Sequence, residues 1–134
     1  MVLRMTDSIF GNILERVIAN TTDFISGVSK SQRKKFGQFF TSEATAIFMS
    51  QLFNIDLTKP ELHILDAGAG TGVLFASFLD KLFTSGYSGK VILTCYETDP
   101  KVLPILERSL ILAKETYGIS YKLLKENYIT NQYF

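Results

Sequence analysis

The run Leu62-His63-Ile64-Leu65-Asp66-Ala67-Gly68-Ala69-Gly70-Thr71-Gly72 constrains this chain more than any other stretch. A strand-type apolar segment drives into three glycines at alternating positions, and a helical apolar pattern opens directly afterwards at Val73. The order predicted is strand, tight turn, helix. Glycine lacks the Cβ that would hold a ligand away from the backbone, and it tolerates the positive φ a sharp turn needs. A small anionic or polar ligand can then approach the turn amides at the positive end of the following helix. Asp66, at the carboxyl end of the strand, adds an acceptor.

Spacing narrows the ligand. A dinucleotide fingerprint places its third glycine three positions after the second, where this chain has Val73. The pattern here is G-x-G-x-G preceded by an acid, which argues against a nicotinamide oxidoreductase. A length of 134 residues, 46% hydrophobic and 20% charged, predicts one soluble globular domain with a sizeable core. The net charge of +1 announces no polyanionic partner, so any such surface has to be local. Cys95 is the single cysteine and His63 the single histidine, so neither a disulfide nor a metal site is expected. No apolar run approaches the roughly twenty residues of a membrane span, and no signal-peptide pattern opens the chain. The expected location is the cytoplasm.

Along the chain, Phe10, Ile13, Leu14, Val17, Ile18, Thr21, Phe24 and Ile25 form one stripe of a helix expected over about Thr6 to Ser26, ended by Gly27. Lys30, Arg33, Lys34 and Lys35 follow within six positions. They can grip phosphates or line a solvated linker, and the linker is the preferred reading. After Gly37-Gln38-Phe39-Phe40, Thr41 is the expected N-cap of a helix whose buried face carries Ala44, Ile47, Phe48, Leu52 and Phe53. The helix after the glycine turn presents Val73, Leu74, Phe75, Phe78, Leu79, Leu82 and Phe83. Lys90 to Glu97 is a second apolar strand of the kind buried on both faces of a parallel sheet. Glu97 ends it, where α/β sheets place ligands and where a carboxylate can hold a ribose diol. Asp99 is the expected cap of the next helix, which Pro104 makes late or irregular, and Ile119 to Lys125 is a third strand.

The string Leu-Asp-Ala-Gly-Ala-Gly-Thr-Gly resembles the S-adenosylmethionine loop of the Rossmann-like methyltransferases. Lys-Phe-Gly-Gln-Phe-Phe-Thr, ending at Thr41, resembles the segment preceding that loop in N6-adenine DNA methyltransferases of the restriction-modification type, with Ser42 in place of the usual proline. Glu97-Thr98-Asp99-Pro100 resembles their E-x-D-P segment. The resemblance implies a Rossmann-like α/β half, a parallel βαβαβ sheet with flanking helices preceded by N-terminal helices. It also implies S-adenosylmethionine as cofactor, held by Phe39, Thr41, Asp66, Ala67, Gly68, Gly70, Thr71, Gly72, Glu97 and Thr98. Asn127 and Tyr128 stand where the family usually has Asp-Phe, and by carry-over would contact the adenine. The division expected is 1–36, N-terminal helix and basic linker, and 37–134, cofactor-binding region.

The family's catalytic Asn-Pro-Pro-Tyr-type tetrapeptide has no counterpart, since the three prolines are Pro60, Pro100 and Pro104. No catalytic residue is therefore assigned. The chain reads as the N-terminal, cofactor-binding part of such an enzyme, inactive alone, that would meet DNA through a downstream region. Lys30, Arg33, Lys34 and Lys35 would contribute weakly. Self-association, or completion by another chain, would cover the open sheet edge. Alternatives are a methyltransferase acting on RNA or on a protein glutamine, and a non-catalytic interaction module that retains the fold.

Overall fold

The computed structural model describes residues 12–129, apart from the side chains of 36–39. Phe10, and the helical stretch expected before Asn12, lie outside the described residues. In chain order the elements are α1 (Leu14–Ser26), α2 (Lys30–Phe39), α3 (Glu43–Gln51), β1 (Glu61–Asp66), α4 (Val73–Thr84), β2 (Lys90–Tyr96), α5 (Leu103–Tyr117) and β3 (Ser120–Leu124). The three strands form a parallel sheet in the order β1-β2-β3. The expected βαβαβ half is therefore present, with α4 and α5 as the two crossovers that parallel pairing requires.

Register sorts the strands' side chains into two faces. Asp66 lies beside Cys95, Ile64 beside Leu93 and Leu62 beside Val91, and this face meets the core of α1, α4 and α5. Val17, Leu79, Leu93, Leu106 and Leu110 are completely buried there, each contributing about 1.5–3 kcal/mol of apolar burial. His63, Leu65, Ile92, Thr94 and Lys122 point the other way. No described element covers that face: Leu65 is 50% exposed, and Ile92 and Thr94 are only half-buried. The expectation of a sheet buried on both sides holds for one side only. β1 pairs solely with β2 among the described residues, so its second edge is open.

Polar contacts seat the helices. Asp80 of α4 accepts from the backbone amides of Ile13 and Leu14, both at 2.9 Å, and thereby caps α1 from another element. The Tyr117 hydroxyl of α5 donates to the same carboxylate at 2.5 Å. Beside it the Tyr117 ring stacks on Phe83, with centroids 4.4 Å apart. Lys81 donates to the carbonyls of Ser50 and Phe53, closing the carboxyl end of α3, where a cation also suits the helix dipole.

Four expectations need correction. Residues 30–39 form a helix, not a linker, with residues 30–35 all exposed. Ser42, not Thr41, caps α3, its hydroxyl accepting from the Thr45 amide at 3.2 Å. The face of α3 is reversed: Ala46 and Ser50 are buried, while Phe48, Leu52 and Phe53 are 61%, 68% and 54% exposed. The small pair, four residues apart, lets α3 settle closely on α4, where Ser50 donates to Ser77 at 2.9 Å; the large side chains are left outside. Finally, α5 begins late, at Leu103, with Pro104 in its first turn, but Asp99 does not cap it. The Asp99 side chain accepts from Lys101, and its carbonyl accepts from Val102 and Leu103 in a preceding turn.

Candidate functional site

The carboxyl ends of the strands carry the candidate site. Past β1 the chain turns through Gly70 and Gly72, which have φ values of +56° and +97° that favour glycine. The three glycines serve different ends. A Cβ on Gly68 would meet nothing within 4 Å, so the backbone there is open to a ligand. One on Gly70 would lie 3.9 Å from the Phe40 ring, which places the Phe39-Phe40-Thr41 segment over the turn. One on Gly72 would sit 2.5 Å from Phe75, so that glycine serves helix packing rather than ligand access.

The turn amides that the sequence leaves open to a ligand are already engaged within the protein. Ala69 donates to the Tyr96 carbonyl and Gly72 to the Ala69 carbonyl, both at 3.0 Å, and the Gly68 amide lies near enough to Asp66 to favour its charged form. Gly70 donates to Glu97 Oε1 at 2.8 Å. The other oxygen, Glu97 Oε2, accepts from Thr98 at 3.0 Å and Asp99 at 3.1 Å. Glu97 thus fastens the glycine turn to the tip of β2. Anchorage continues underneath, where the buried Thr71 hydroxyl pairs with Thr21 of α1 at 2.7 Å, and Ser109 of α5 donates to the Thr71 carbonyl at 2.7 Å. The Thr71 side chain therefore faces the interior, and only its backbone remains for a ligand.

A cleft of about 330 Å³ brings together Ala67, Gly68, Glu97, Thr98, Asn127 and Tyr128, with Tyr96 and Glu126 also on its wall. The Tyr96 and Tyr128 rings meet edge to face, centroids 5.1 Å apart. Asn127 Oδ1 accepts from the Ile129 amide at 2.9 Å. Asp66 lines a neighbouring cavity of about 240 Å³ with Leu74, Phe75 and Phe78. Its Oδ2 is buried without a hydrogen-bond partner. Burial, reinforced by the charge of Glu97 and opposed by the Gly68 amide, raises the Asp66 pKa. Burial and the charge of Asp66 push the Cys95 thiol up as well, so Cys95 is an inert core thiol. Thr41 is half-buried, and the Phe39 side chain lies outside the described residues. His63 is exposed and touches Glu61 at 2.9 Å.

Sequence reasoning missed Tyr96, Glu126 and Ser109, and it placed Thr21 on the buried stripe of the first helix without its contact to the turn. Thr21 carried a signal, being a polar residue on an otherwise apolar stripe; its partner on a turn fifty residues away did not.

With two carboxylates near enough for the charge of one to act on the other, though lining neighbouring cavities, and turn amides already engaged, the arrangement suits a cationic or hydroxyl-rich ligand rather than a pyrophosphate, which needs free amides. The chain is 35% identical to the type II methyltransferase M.BsuBI of Bacillus subtilis over 97 residues, 72% of this chain and 19% of that protein. It is also 35% identical to the type II methyltransferase M.PstI of Providencia stuartii over 99 residues, 74% of this chain and 18% of that protein. The chain thus spans about a fifth of the length of the curated relatives it matches, in their N-terminal region. No family model and no solved structure matches.

Proposed function

We propose, for a chain related to the type II methyltransferases across about three quarters of its length, that the cleft at the strand tips binds S-adenosylmethionine and serves the modification of adenine N6 in DNA. The observation that carries this reading is the pair of acids at adjacent strand ends. Asp66 has a buried oxygen lacking a donor, and Glu97 stands beside an open glycine backbone. A sulfonium nucleoside offers the two complements such a site lacks, positive charge and a ribose diol. When bound, it supplies an electrophilic methyl group.

This chain's own residues bind and orient. Glu97 would hold the ribose diol while keeping the turn closed through Gly70. Gly68 lets the ligand reach the backbone, and Tyr128 with Asn127 forms the wall where the adenine ring would lie. Phe40, packed over Gly70, would cover the opposite end. The likeness of the Phe39-Phe40-Thr41 segment to that of N6-adenine enzymes supports adenine in DNA over RNA or a protein glutamine. The enzyme's part in such a transfer is position and electrostatics rather than a covalent nucleophile, which agrees with the inert Cys95.

Calorimetry tests the reading. Wild-type chain should bind S-adenosylmethionine, Asp66→Ala and Glu97→Ala should each weaken binding at least tenfold, and NADH should give no heat. Absence of binding by the wild type would leave a fold kept for interaction. Lacking an Asn-Pro-Pro-Tyr tetrapeptide, the chain alone should methylate no DNA.

A further inference from the structure

We infer that α2 is a phosphate-contacting helix that holds duplex DNA against the mouth of the cleft. This rests on the methyl-transfer reading only for the choice of polyanion. The segment Lys30–Phe39 contains four cations and no Asp or Glu. As a helix it sets Lys30, Arg33 and Lys34 three and four positions apart on one face, with Lys35 about 100° further round from Lys34. All four are exposed. None takes part in an ion pair among the described residues. Like charges at this spacing destabilise a helix, and acids interspersed among them would remove the penalty. The rest of the chain carries ten Lys and Arg against thirteen Asp and Glu, so positive charge is concentrated here rather than spread over the surface.

Position gives the concentration meaning. α2 ends at Phe39, and the next ring, Phe40, packs over Gly70 of the turn and meets Phe24 edge-on. At 1.5 Å rise per residue, the cations lie about 6–14 Å back along the helix from that lip. This reach is comparable with the roughly 12 Å width of the DNA major groove, enough to span several phosphates. Such contacts fix where a duplex lies without reading its sequence.

Fluorescence anisotropy with a labelled duplex of arbitrary sequence, between 50 and 200 mM salt, tests this. Three to four neutralised phosphates predict a slope of log K against log salt of about −2.7 to −3.6, a loss of roughly 40- to 150-fold over that range. The variant Lys30→Gln, Arg33→Gln, Lys34→Gln, Lys35→Gln should lose most of the slope. Gln matches Lys and Arg closely in helix propensity, and circular dichroism will show the fold kept. Replacing the three lysines by Arg should preserve the slope. So should an equal charge change elsewhere, Lys59→Gln, Lys101→Gln, Lys114→Gln, Lys122→Gln. The inference falls if the wild type does not bind duplex at 50 mM salt, if the α2 variant keeps its slope, if the control loses as much, or if anionic vesicles bind and duplex does not. S-adenosylmethionine calorimetry on the same samples separates the two readings. Duplex binding that follows the α2 charges, in a chain giving no heat with the cofactor, would keep the helix assignment and sink the methyl-transfer reading.

Discussion

Asp66 and Glu97 are both acids at strand ends, yet they do different work. Glu97 already accepts three amide hydrogens of about four that a carboxylate can take. A diol must share that space or displace an amide. Asp66 has a buried oxygen with no donor, so the free protein carries the cost of an unsatisfied carboxylate. Burial raises its folded-state pKa above the ordinary 3.8, so the native state holds the proton more tightly than the unfolded chain. The resulting stability is fully present below about 3.8 and is lost as pH rises through the folded-state pKa. Asp66→Asn should therefore melt above the wild type at pH 7, and the gap should shrink as pH falls toward 4. The same variant should bind S-adenosylmethionine more weakly. Thermal melts from pH 4 to 7 check this, and a wild type that gains nothing over the variant on acidification would refute it.

Among the elements, α1 depends most on borrowed partners. Its first amides rest on Asp80 and its middle on the Thr21–Thr71 hydroxyl pair, so it belongs to the scaffold beneath the glycine turn. Asp80→Ala should cost about 1–3 kcal/mol by leaving polar groups without partners. It should also speed hydrogen exchange in α1 ahead of α4, and equal change in both helices would refute the assignment. The contrast shows what the sequence made legible. β1, its turn, α4 and the acid ending β2 follow from local backbone needs, glycine at positive φ and apolar strand runs, and they stand where expected. The inward face of α3 did not follow. The fit of Ala46 and Ser50 against α4 outweighed the burial of Phe48 and Leu52, and only a neighbour's surface can decide that contest. The Thr21 and Ser109 contacts were invisible for the same reason. In α2, Gly37 and a dense charge run hid a helix.

At the scale of the molecule, three strands with both crossovers on one side make a sheet with a dry face and a wet one. Leu65 on that wet face, and Phe48, Leu52 and Phe53 on and just after α3, leave apolar area that the relatives, about four times as long, have far more chain to cover. The open side of β1 has a finer consequence. Peptide groups along a strand aim alternately left and right, and only one of those sides meets β2. Deuterium uptake read residue by residue should therefore form a comb across 61–66, every second amide quick and its neighbour slow. Along β2, flanked on both sides, the teeth should vanish.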